Sequence, residues 1–220
     1  MKVARDFLEE IEKFTVELQA IGDQPPPAPR WNQDWFPRLD AAAAYAMVRS
    51  SRPRRIVEVG SGHSTRFLAR AVADGGLDTR ITCIDPRPRA RIDGLAVEWL
   101  AVPVQETSRG MFENLDILFI DSSHQLKPGS DVEYLVQKII PGLPSGVQVH
   151  FHDIFLPDGY PEQWAWRRYN EQEAVAALID KGVLREEFSS HRTARGLSGV
   201  LARLPLVEGA LESSLWLRKN

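Results

Sequence analysis

Residues 55–68 read RIVEVGSGHSTRFL, a short apolar run that breaks at two glycines and then continues with apolar residues at helical spacing. The pattern predicts a buried strand over 56–59, a tight turn, and a helix that starts near Ser64. Gly60 and Gly62 have no Cβ atom, so a ligand can approach the backbone amides of the turn closely. The positive end of the following helix points at the same place. These features indicate a nucleotide-like cofactor site at the carboxyl end of a first parallel strand.

Length and composition favour one soluble globular domain. The chain has 220 residues, of which 43% are hydrophobic and 26% charged, and its net charge of -3 is unlike that of proteins that bind nucleic acid or anionic membranes. Its single cysteine, Cys83, cannot form an internal disulfide, which fits a reducing compartment. No apolar run approaches the ~18 residues that a membrane span requires. We therefore expect a cytoplasmic protein without nucleic-acid or membrane partners.

The first 36 residues predict a helical appendage to the main domain, which we place at residues 37–220. Apolar residues at helical spacing indicate an amphipathic helix over 3–20, and four prolines within 24–30 indicate a stiff extended connector. Trp31 and Trp35 follow the connector, where they can either cover a cofactor or form a contact in a homodimer. An alanine-rich segment predicts a second helix over 37–49.

From residue 55 onward, strand and helix patterns alternate. The strands are predicted at 56–59, 80–84, 98–102, 117–120, 147–151, 185–188 and 199–203, and the helices at 64–73, 87–93, 131–140 and 171–180. Several strands consist of consecutive Val, Ile, Leu and Phe residues, which is typical of strands buried on both faces. The sequence thus predicts an α/β fold with a doubly wound, mostly parallel sheet of about seven strands.

The residues around the glycine turn narrow the choice of ligand. Asp85 ends the second strand, where a carboxylate can accept hydrogen bonds from both hydroxyls of a ribose. A dinucleotide loop has a third glycine, but Thr65 stands at that position here. Glu58, two residues before Gly60, would repel a pyrophosphate and suits an ammonium group. The pattern favours S-adenosylmethionine, which joins adenosine to an amino-acid tail, over a nicotinamide dinucleotide.

The motif Glu58-x-Gly60-x-Gly62, followed by Asp85 and by Asp121 after the fourth strand, resembles the class I S-adenosylmethionine-dependent methyltransferases over about residues 40–205. The resemblance implies a Rossmann-like fold, with the glycine loop against the methionine tail of the cofactor and Asp85 on its ribose. The cofactor contacts that we expect from it are Glu58, Gly60, Ser61, Gly62, His63, Ser64, Asp85, Gln105 and Asp121.

Polar residues at the ends of the fourth and fifth strands predict where the reaction takes place, here called the chemical end of the site. Asp121 and His124 follow the fourth strand, His152 and Asp153 follow the fifth, and neighbouring strands bring their ends together beside the crevice. We expect Asp121 and His124 to be catalytic, with His124 as the general base that takes the acceptor's proton. Each of the four also has a structural interpretation, as a cap or as an anchor for the loop that follows.

A divalent cation is a second expectation for these residues. Asp121, Asp153 and His152 can hold Mg²⁺ or Mn²⁺, which would lower the pKa of an acceptor hydroxyl. The arrangement is similar to that of metal-dependent O-methyltransferases that act on sugars of natural products. Those enzymes tend to have a carboxylate where this chain has His152, and histidine is a poorer ligand for Mg²⁺ than for Mn²⁺.

The segment after the fifth strand is rich in aromatic residues. Trp164 and Trp166 can form a substrate wall or anchor the loop to the core, and Arg167 or Arg168 can pair with an anionic substrate or lie in solvent. The stretch from Phe151 to Gln172 resembles a subgroup of small bacterial methyltransferases whose substrates are largely unassigned.

The sequence therefore predicts an S-adenosylmethionine-dependent methyltransferase that acts on a small molecule, at a hydroxyl oxygen. A nicotinamide-dependent oxidoreductase on a similar sheet is one alternative, and a cofactor-binding or interaction module without catalysis is another. The motifs do not identify the acceptor.

Overall fold

A computed structural model describes residues 2–22 and 24–220, and the side chains of these ranges from residue 6 onward. One sheet of seven strands forms its centre, in the order β3-β2-β1-β4-β5-β7-β6. The first five strands pair in parallel, whereas β7 runs antiparallel to both of its neighbours. The strands are β1 (Arg55–Val59), β2 (Arg80–Ile84), β3 (Glu98–Leu100), β4 (Ile117–Ile120), β5 (Gln148–Phe151), β6 (Leu184–Ser189) and β7 (Leu215–Lys219). The predicted doubly wound α/β fold is confirmed.

Helices cover both faces of this sheet. They are α1 (Lys2–Glu12), α2 (Thr15–Gln19), α3 (Arg38–Ser51), α4 (His63–Asp74), α5 (Asp131–Tyr134), α6 (Glu171–Asp180) and α7 (Ser190–Ala194). Alternate residues of β4 enter two separate apolar cores: Phe119 packs with residues of α3 and α4, and Ile120 packs with residues of α6. This alternation explains why the buried strands are apolar at every position.

The N-terminal segment differs from the single helix predicted over 3–20. The helix is interrupted after Glu12, where the Thr15 hydroxyl donates a 2.6 Å hydrogen bond to the Glu12 carbonyl oxygen and a short second helix begins. Both helices nevertheless bury apolar side chains, including Ile11 and Leu18, in the same core as α3. Phe7 stacks on Phe188 of β6 with ring centroids 4.3 Å apart. The N-terminal helices are thus an integral part of this core.

Three further predictions about secondary structure are wrong. Residues 199–203 form no strand but contain a short 3₁₀ turn, Leu201–Arg203, and the last strand is β7, which the sequence analysis missed. The helix predicted over 87–93 is an irregular turn, because Pro86 and Pro88 flank its start and lack amide hydrogens. The helix over 131–140 begins as α5 but continues as a wider π turn, Leu135–Ile139.

The strand order reverses on either side of β1, which pairs with β2 on one edge and with β4 on the other. In open parallel sheets, ligands bind outside the carboxyl ends of the strands at such a reversal. Among the helices of the described residues, none has the length and apolar content that crossing a bilayer requires.

Candidate active site

A cavity of about 470 Å³ opens at this edge of the sheet. It joins the two regions that the sequence predicted separately, the glycine turn after β1 and the polar ends of β4 and β5. The predicted site residues that line it are Gly60, Ser61, Gly62, His63, Ser64, Asp85, Gln105, Asp121, His124, His152 and Asp153. Glu58 is the one predicted site residue that does not line the cavity.

Gly60 lets the ends of β1 and β4 approach each other. Its φ is +83°, and a Cβ atom at this position would lie 1.8 Å from the carbonyl oxygen of Asp121. The Asp121 amide in turn donates to the Val59 carbonyl oxygen at 2.9 Å. A side chain at residue 60 would therefore displace Asp121 from the cavity wall.

Glu58 orders the glycine turn from below. It is fully buried, and its carboxylate accepts 2.6 Å hydrogen bonds from the hydroxyls of Ser64 and Thr65. Thr65, which replaces the third glycine, also accepts a hydrogen bond from the Gly62 amide at 2.9 Å. Burial raises the pKa of Glu58 to about 7, although these hydroxyls favour the charged form. Both carboxylate oxygens of Glu58 thus accept hydrogen bonds beneath the loop, and its contact with a cofactor ammonium stays a prediction.

Asp85 joins the end of β2 to the glycine turn. Its two oxygens accept 2.7 Å hydrogen bonds from the backbone amides of Ser61 and Arg87. Asp85 lines the cavity, and each of its carboxylate oxygens has a further lone pair that can accept from a ribose hydroxyl. Gln105, on the same side, donates through its amide nitrogen to the Gly129 carbonyl oxygen at 2.9 Å.

The ends of β4 and β5 form an acid–histidine cluster. The His124 Nε2 atom lies 3.3 Å from Asp121 Oδ1 and 3.5 Å from Asp153 Oδ2. The His152 Nδ1 atom lies 3.5 Å from Asp121 Oδ1 and 3.3 Å from Asp153 Oδ1. The structure therefore brings together the four residues that the sequence placed at the chemical end, with two imidazole nitrogens between two carboxylates.

Two buried carboxylates that the sequence analysis missed complete the cluster. Glu171 Oε2 lies 2.9 Å from the His124 Nδ1 atom, and Asp40 Oδ2 lies 3.0 Å from the His152 Nε2 atom. Neither carboxylate is exposed to solvent. A single acid within the apolar run of α3 was the available signal for Asp40, whereas Glu171 looked only like a residue that begins a helix.

Asp40 also joins the cluster to the C-terminal part of the sheet. Its carboxylate accepts hydrogen bonds from the Ser213 amide at 3.0 Å, from the Ser214 amide at 2.9 Å and from the Ser190 hydroxyl. These donors stabilise a charge that would otherwise be costly to bury. His152 is therefore oriented by a fixed carboxylate.

The electrostatics of the cluster raise the pKa of both histidines and so favour their charged form. Burial disfavours an imidazolium, but the hydrogen bonds with Asp121 and Glu171 raise the pKa of His124 well above its ordinary value. The pKa of His152 is also raised, because the charges of Asp153 and Asp121 outweigh its burial. Burial likewise opposes ionisation of Asp121, yet the two histidines hold its pKa well below the usual range.

Two residues of the cluster have a left-handed backbone. The φ of His124 is +57° and that of Asp153 is +56°, a region that non-glycine residues rarely adopt. The His124 carbonyl oxygen accepts a 3.1 Å bond from the Asn170 amide, and the Asp153 carboxylate accepts one of 3.1 Å from the Ser213 hydroxyl. Backbone strain of this kind is concentrated at functional sites.

The described residues contain no group of ligands that matches the predicted metal site. Within residues 2–22 and 24–220, no group of three or more His, Cys, Asp or Glu residues is arranged to hold a metal ion. The space between Asp121 and Asp153, where a shared cation would lie, is flanked by His124 Nε2 and His152 Nδ1. The pKa values of both histidines are raised, which favours the protonated rings as hydrogen-bond donors to these carboxylates over their use as metal ligands.

The two N-terminal tryptophans have different positions. Trp31 is 3% exposed and packs against Phe67, with ring centroids 5.2 Å apart, so it belongs to the core. Trp35 lines the cavity, where the guanidinium carbon of Arg89 lies 4.3 Å from its ring centroid. Of the two, Trp35 is therefore the one that can cover a ligand.

The aromatic residues after β5 also differ in position, because some anchor the loop, one is exposed and one lines the cavity. Trp164 packs edge-on against Phe155 at 5.2 Å and anchors the loop, whereas Trp166 is 77% exposed. Tyr169 lines the cavity, and its ring centroid lies 4.6 Å from that of His124. Arg167 lies over the Trp164 ring at 4.2 Å. Tyr169 thus forms the wall beside the acid–histidine cluster.

Comparison with known proteins agrees with this description of the fold. Residues 57–154 match the family model described as a methyltransferase domain. No curated protein matches the chain.

Two solved structures are similar to this chain in their fold. The first is the S-adenosylhomocysteine-bound methyltransferase PaMTH1 of Podospora anserina, with 15% identity, 96% of this chain and 88% of that chain covered, and a TM-score of 0.56. The second is the O-methyltransferase TomG of Streptomyces achromogenes in complex with S-adenosylmethionine. It is 17% identical, the alignment covers 96% of this chain and 90% of TomG, and the TM-score is 0.51.

Proposed function

We propose that this chain is a class I S-adenosylmethionine-dependent methyltransferase and that it methylates a hydroxyl oxygen of a small molecule. The match of residues 57–154 to a methyltransferase-domain model supports the first part of the proposal. The observation that carries the proposal is the single cavity in which the glycine turn and Asp85 face the acid–histidine cluster. TomG, which shares the fold, is an O-methyltransferase, and this supports oxygen as the target atom.

In this proposal the cofactor spans the cavity from Gln105 to Asp121. The ribose hydroxyls hydrogen bond to Asp85, and the adenine lies toward Gln105. The amino-acid tail follows the amides of Gly60 and Gly62. The sulfonium then lies near Asp121, whose ionised carboxylate favours a positive charge.

Methyl transfer is an in-line displacement. The acceptor oxygen attacks the methyl carbon, the carbon–sulfur bond breaks, and the sulfur keeps the electron pair as S-adenosylhomocysteine forms. His124 first releases the proton that it holds at rest to solvent, and its Nε2 atom then accepts the acceptor's proton. The protein mainly aligns the two reactants and keeps the developing charges beside the cluster. We assign no step to a metal ion, because the residues around Asp121 and Asp153 do not fit one.

The raised pKa of His124 has a kinetic consequence. A base of high pKa is strong but mostly protonated at neutral pH. The sulfonium adds a positive charge near Asp121, which favours loss of the His124 proton. The rate of methyl transfer should therefore increase with pH above the ordinary histidine value of 6.5.

The two alternatives predict different behaviour. A nicotinamide-dependent oxidoreductase requires room for a pyrophosphate at the third glycine position, where the Thr65 hydroxyl instead hydrogen bonds to Glu58 and to the Gly62 amide. A cofactor-binding module without catalysis predicts affinity for S-adenosylhomocysteine but no methyl transfer.

Calorimetric titration with S-adenosylhomocysteine tests the cofactor assignment. We expect binding by the wild type and a loss of about tenfold or more in Asp85→Asn, because the neutral amide is a weaker acceptor for ribose hydroxyls. The matched control is Asp78→Asn, an exposed acid away from the cavity. No binding by the wild type would contradict the proposal.

Transfer of a labelled methyl group to a panel of hydroxyl-bearing small molecules tests the reaction. Transfer to a hydroxyl that is lost in His124→Ala, with S-adenosylhomocysteine binding retained, is the expected result. Transfer to nitrogen or carbon acceptors alone would contradict the assignment of the target atom.

A further inference from the structure

His124 belongs to an irregular loop, residues 121–130, that connects β4 to α5. The backbone of this loop is left-handed at His124, with a φ of +57°. A residue with a side chain adopts this conformation rarely, and it persists only where surrounding contacts hold it. The position of the His124 ring therefore depends on contacts that reach the loop from other parts of the chain.

One end of the loop is fixed by the start of α5. The Asp131 carboxylate accepts a 2.9 Å hydrogen bond from the Ser123 amide and another from the Ser123 hydroxyl. These bonds hold the residue before His124. The residues that follow His124 are held from the opposite side, by the segment that leads into α6.

Three consecutive residues of that segment contact the loop. The Tyr169 ring lies beside the His124 ring, with centroids 4.6 Å apart, and Glu171 Oε2 lies 2.9 Å from His124 Nδ1. Asn170, between them, contacts the backbone, because its amide donates to the His124 carbonyl oxygen at 3.1 Å. The ring and the backbone of His124 are thus held by one short stretch of chain.

The side chain of Asn170 pairs with Leu126 in both directions. Its Oδ1 atom accepts a 2.6 Å hydrogen bond from the Leu126 amide, and its Nδ2 atom donates to the Leu126 carbonyl oxygen at 3.0 Å. Such pairing requires a donor and an acceptor on the same side chain, which a carboxamide has and an ionised carboxylate does not. Asn170 therefore fixes both the position and the orientation of the backbone two residues after His124.

Helix capping does not account for these contacts. Asn170 occupies the N-cap position of α6, where an asparagine side chain commonly accepts a hydrogen bond from an amide of the first turn. Among the described residues, no amide of α6 donates to the Asn170 side chain. The Gln172 amide of that turn donates instead to the Tyr160 hydroxyl at 3.2 Å. The Asn170 side chain is directed to Leu126 rather than to its own helix.

We propose that Asn170 is a positioning residue for His124, acting through its three hydrogen bonds to the backbone of His124 and Leu126, here called the Asn170 clamp. The inference rests on the proposed function, in which the His124 Nε2 atom accepts the acceptor's proton. When the side-chain bonds are lost, the loop can relax at His124 toward commoner backbone angles. The ring then moves relative to the acceptor, and rates of transfer are sensitive to displacements of this kind.

The substitution Asn170→Asp separates the clamp from a capping function. Aspartate is as good an N-cap as asparagine, so α6 should stay intact. Its carboxylate cannot donate to the Leu126 carbonyl oxygen and repels it. We expect kcat to fall by about tenfold or more, while the acceptor KM and the affinity for S-adenosylhomocysteine change by less than about twofold. Initial rates, calorimetry and thermal unfolding measure these quantities.

A spectroscopic measurement tests the clamp without an acceptor. The Cε1–H signal of the His124 ring is assigned by its absence from the NMR spectrum of His124→Ala and is then compared at one fixed pH. In Asn170→Asp this signal should shift or broaden, because the loop no longer has a single arrangement. An unchanged signal would overturn the proposal.

The matched control is Asn220→Asp. It removes another carboxamide bond to a carbonyl oxygen, that of Gly182 at 2.9 Å, and neither residue lines the cavity. Both kcat and the His124 signal should stay unchanged in this variant.

Two kinetic outcomes would overturn the Asn170 clamp. One is an unchanged kcat in Asn170→Asp, and the other is a fall in kcat matched by an equal loss of affinity for S-adenosylhomocysteine, which indicates a general disturbance of the fold. Failure of the proposed function is distinct, because the wild type itself would then transfer no methyl group to a hydroxyl.

Discussion

The two ends of the cavity differ in how their polar groups are satisfied. In the acid–histidine cluster, His124 and His152 each have a buried carboxylate behind the ring and the carboxylates of Asp121 and Asp153 in front. At the glycine turn, the His63 Nδ1 atom is buried and has no hydrogen-bond partner among the described residues. A satisfied network holds its side chains in place before any ligand arrives. A buried polar group without a partner is satisfied only when a ligand supplies that partner.

We also expect the two ends of the cavity to have different functions. In the proposed function, the cluster takes up the acceptor's proton, whereas the glycine turn and Asp85 hold the cofactor. Changes in the cluster should therefore affect the rate, and changes at the glycine turn should affect affinity.

The largest expected effect is that of His124→Ala on the rate. Loss of a general base typically reduces a rate by about 10²–10⁴-fold, and we expect a loss of about a thousandfold here. Binding of S-adenosylhomocysteine should change by less than about threefold, because the residue faces the acceptor. Initial rates and calorimetry measure the two quantities, with His191→Ala as the histidine control outside the cavity. An equal loss of affinity would remove the distinction between the two ends.

Glu58, beneath the glycine turn between the two ends, should determine part of the pH dependence of stability. Its folded pKa of about 7 lies above its ordinary value of 4.5, so the folded state binds more protons between these values. Stability should then fall as the pH rises from about 4.5 to about 7, by ~3 kcal/mol at most for this group. Thermal unfolding of the wild type and Glu58→Gln at pH 5 and pH 8 checks this.

We expect the wild type to lose more stability than Glu58→Gln across that range. The exposed substitution Glu208→Gln is the control and should behave like the wild type. A variant with the same pH dependence as the wild type would show that Glu58 does not bind the extra proton.

Glu171→Gln should have a smaller effect on the rate, of about tenfold in kcat, and a diagnostic effect on the pH profile. The Glu171 carboxylate helps to raise the pKa of His124, so its removal should lower that pKa. The pH at which kcat increases should move to lower values, while the KM for the cofactor stays within about twofold. Glu173→Gln, exposed on the same helix, is the matched control. An unmoved profile would contradict a positioning role for Glu171.

The smallest effect is expected from metal removal. Because the imidazolium rings supply the positive charge between Asp121 and Asp153, chelation with EDTA should change kcat by less than about twofold. Initial rates before and after chelation, with Mg²⁺ or Mn²⁺ added back, measure this. A loss of activity that either cation restores would instead indicate a rearranged cluster with a metal ion between the carboxylates.

The regions that could be predicted from sequence share one property, which is that their signals are local. The glycine turn with Asp85, and the apolar strands that end in Asp121 and Asp153, occupy short stretches with a characteristic order. Their meeting in one cavity followed from the rule that parallel strands end at the same edge. The errors arose where a longer-range contact outweighs a local pattern, as in β7, which enters the sheet between β5 and β6.

Asp40 and Glu171 show most clearly what could not be predicted from the sequence. Asp40 lies 112 residues before His152, and Glu171 lies 47 residues after His124, so no spacing connects either carboxylate to its histidine. Glu58 shows that even a conspicuous motif residue has partners that the motif did not indicate, because its carboxylate accepts hydrogen bonds from Ser64 and Thr65.

The amino-acid sequence alone was sufficient for the fold class, the family resemblance and the strand ends at which we predicted the chemistry, because each depends on the order and periodicity of nearby residues. The buried partners of His124 and His152, and the raised pKa values of both histidines, emerged only after folding. They depend on distances and burial, because folding places carboxylates of α6 and α3 2.9 and 3.0 Å from these rings.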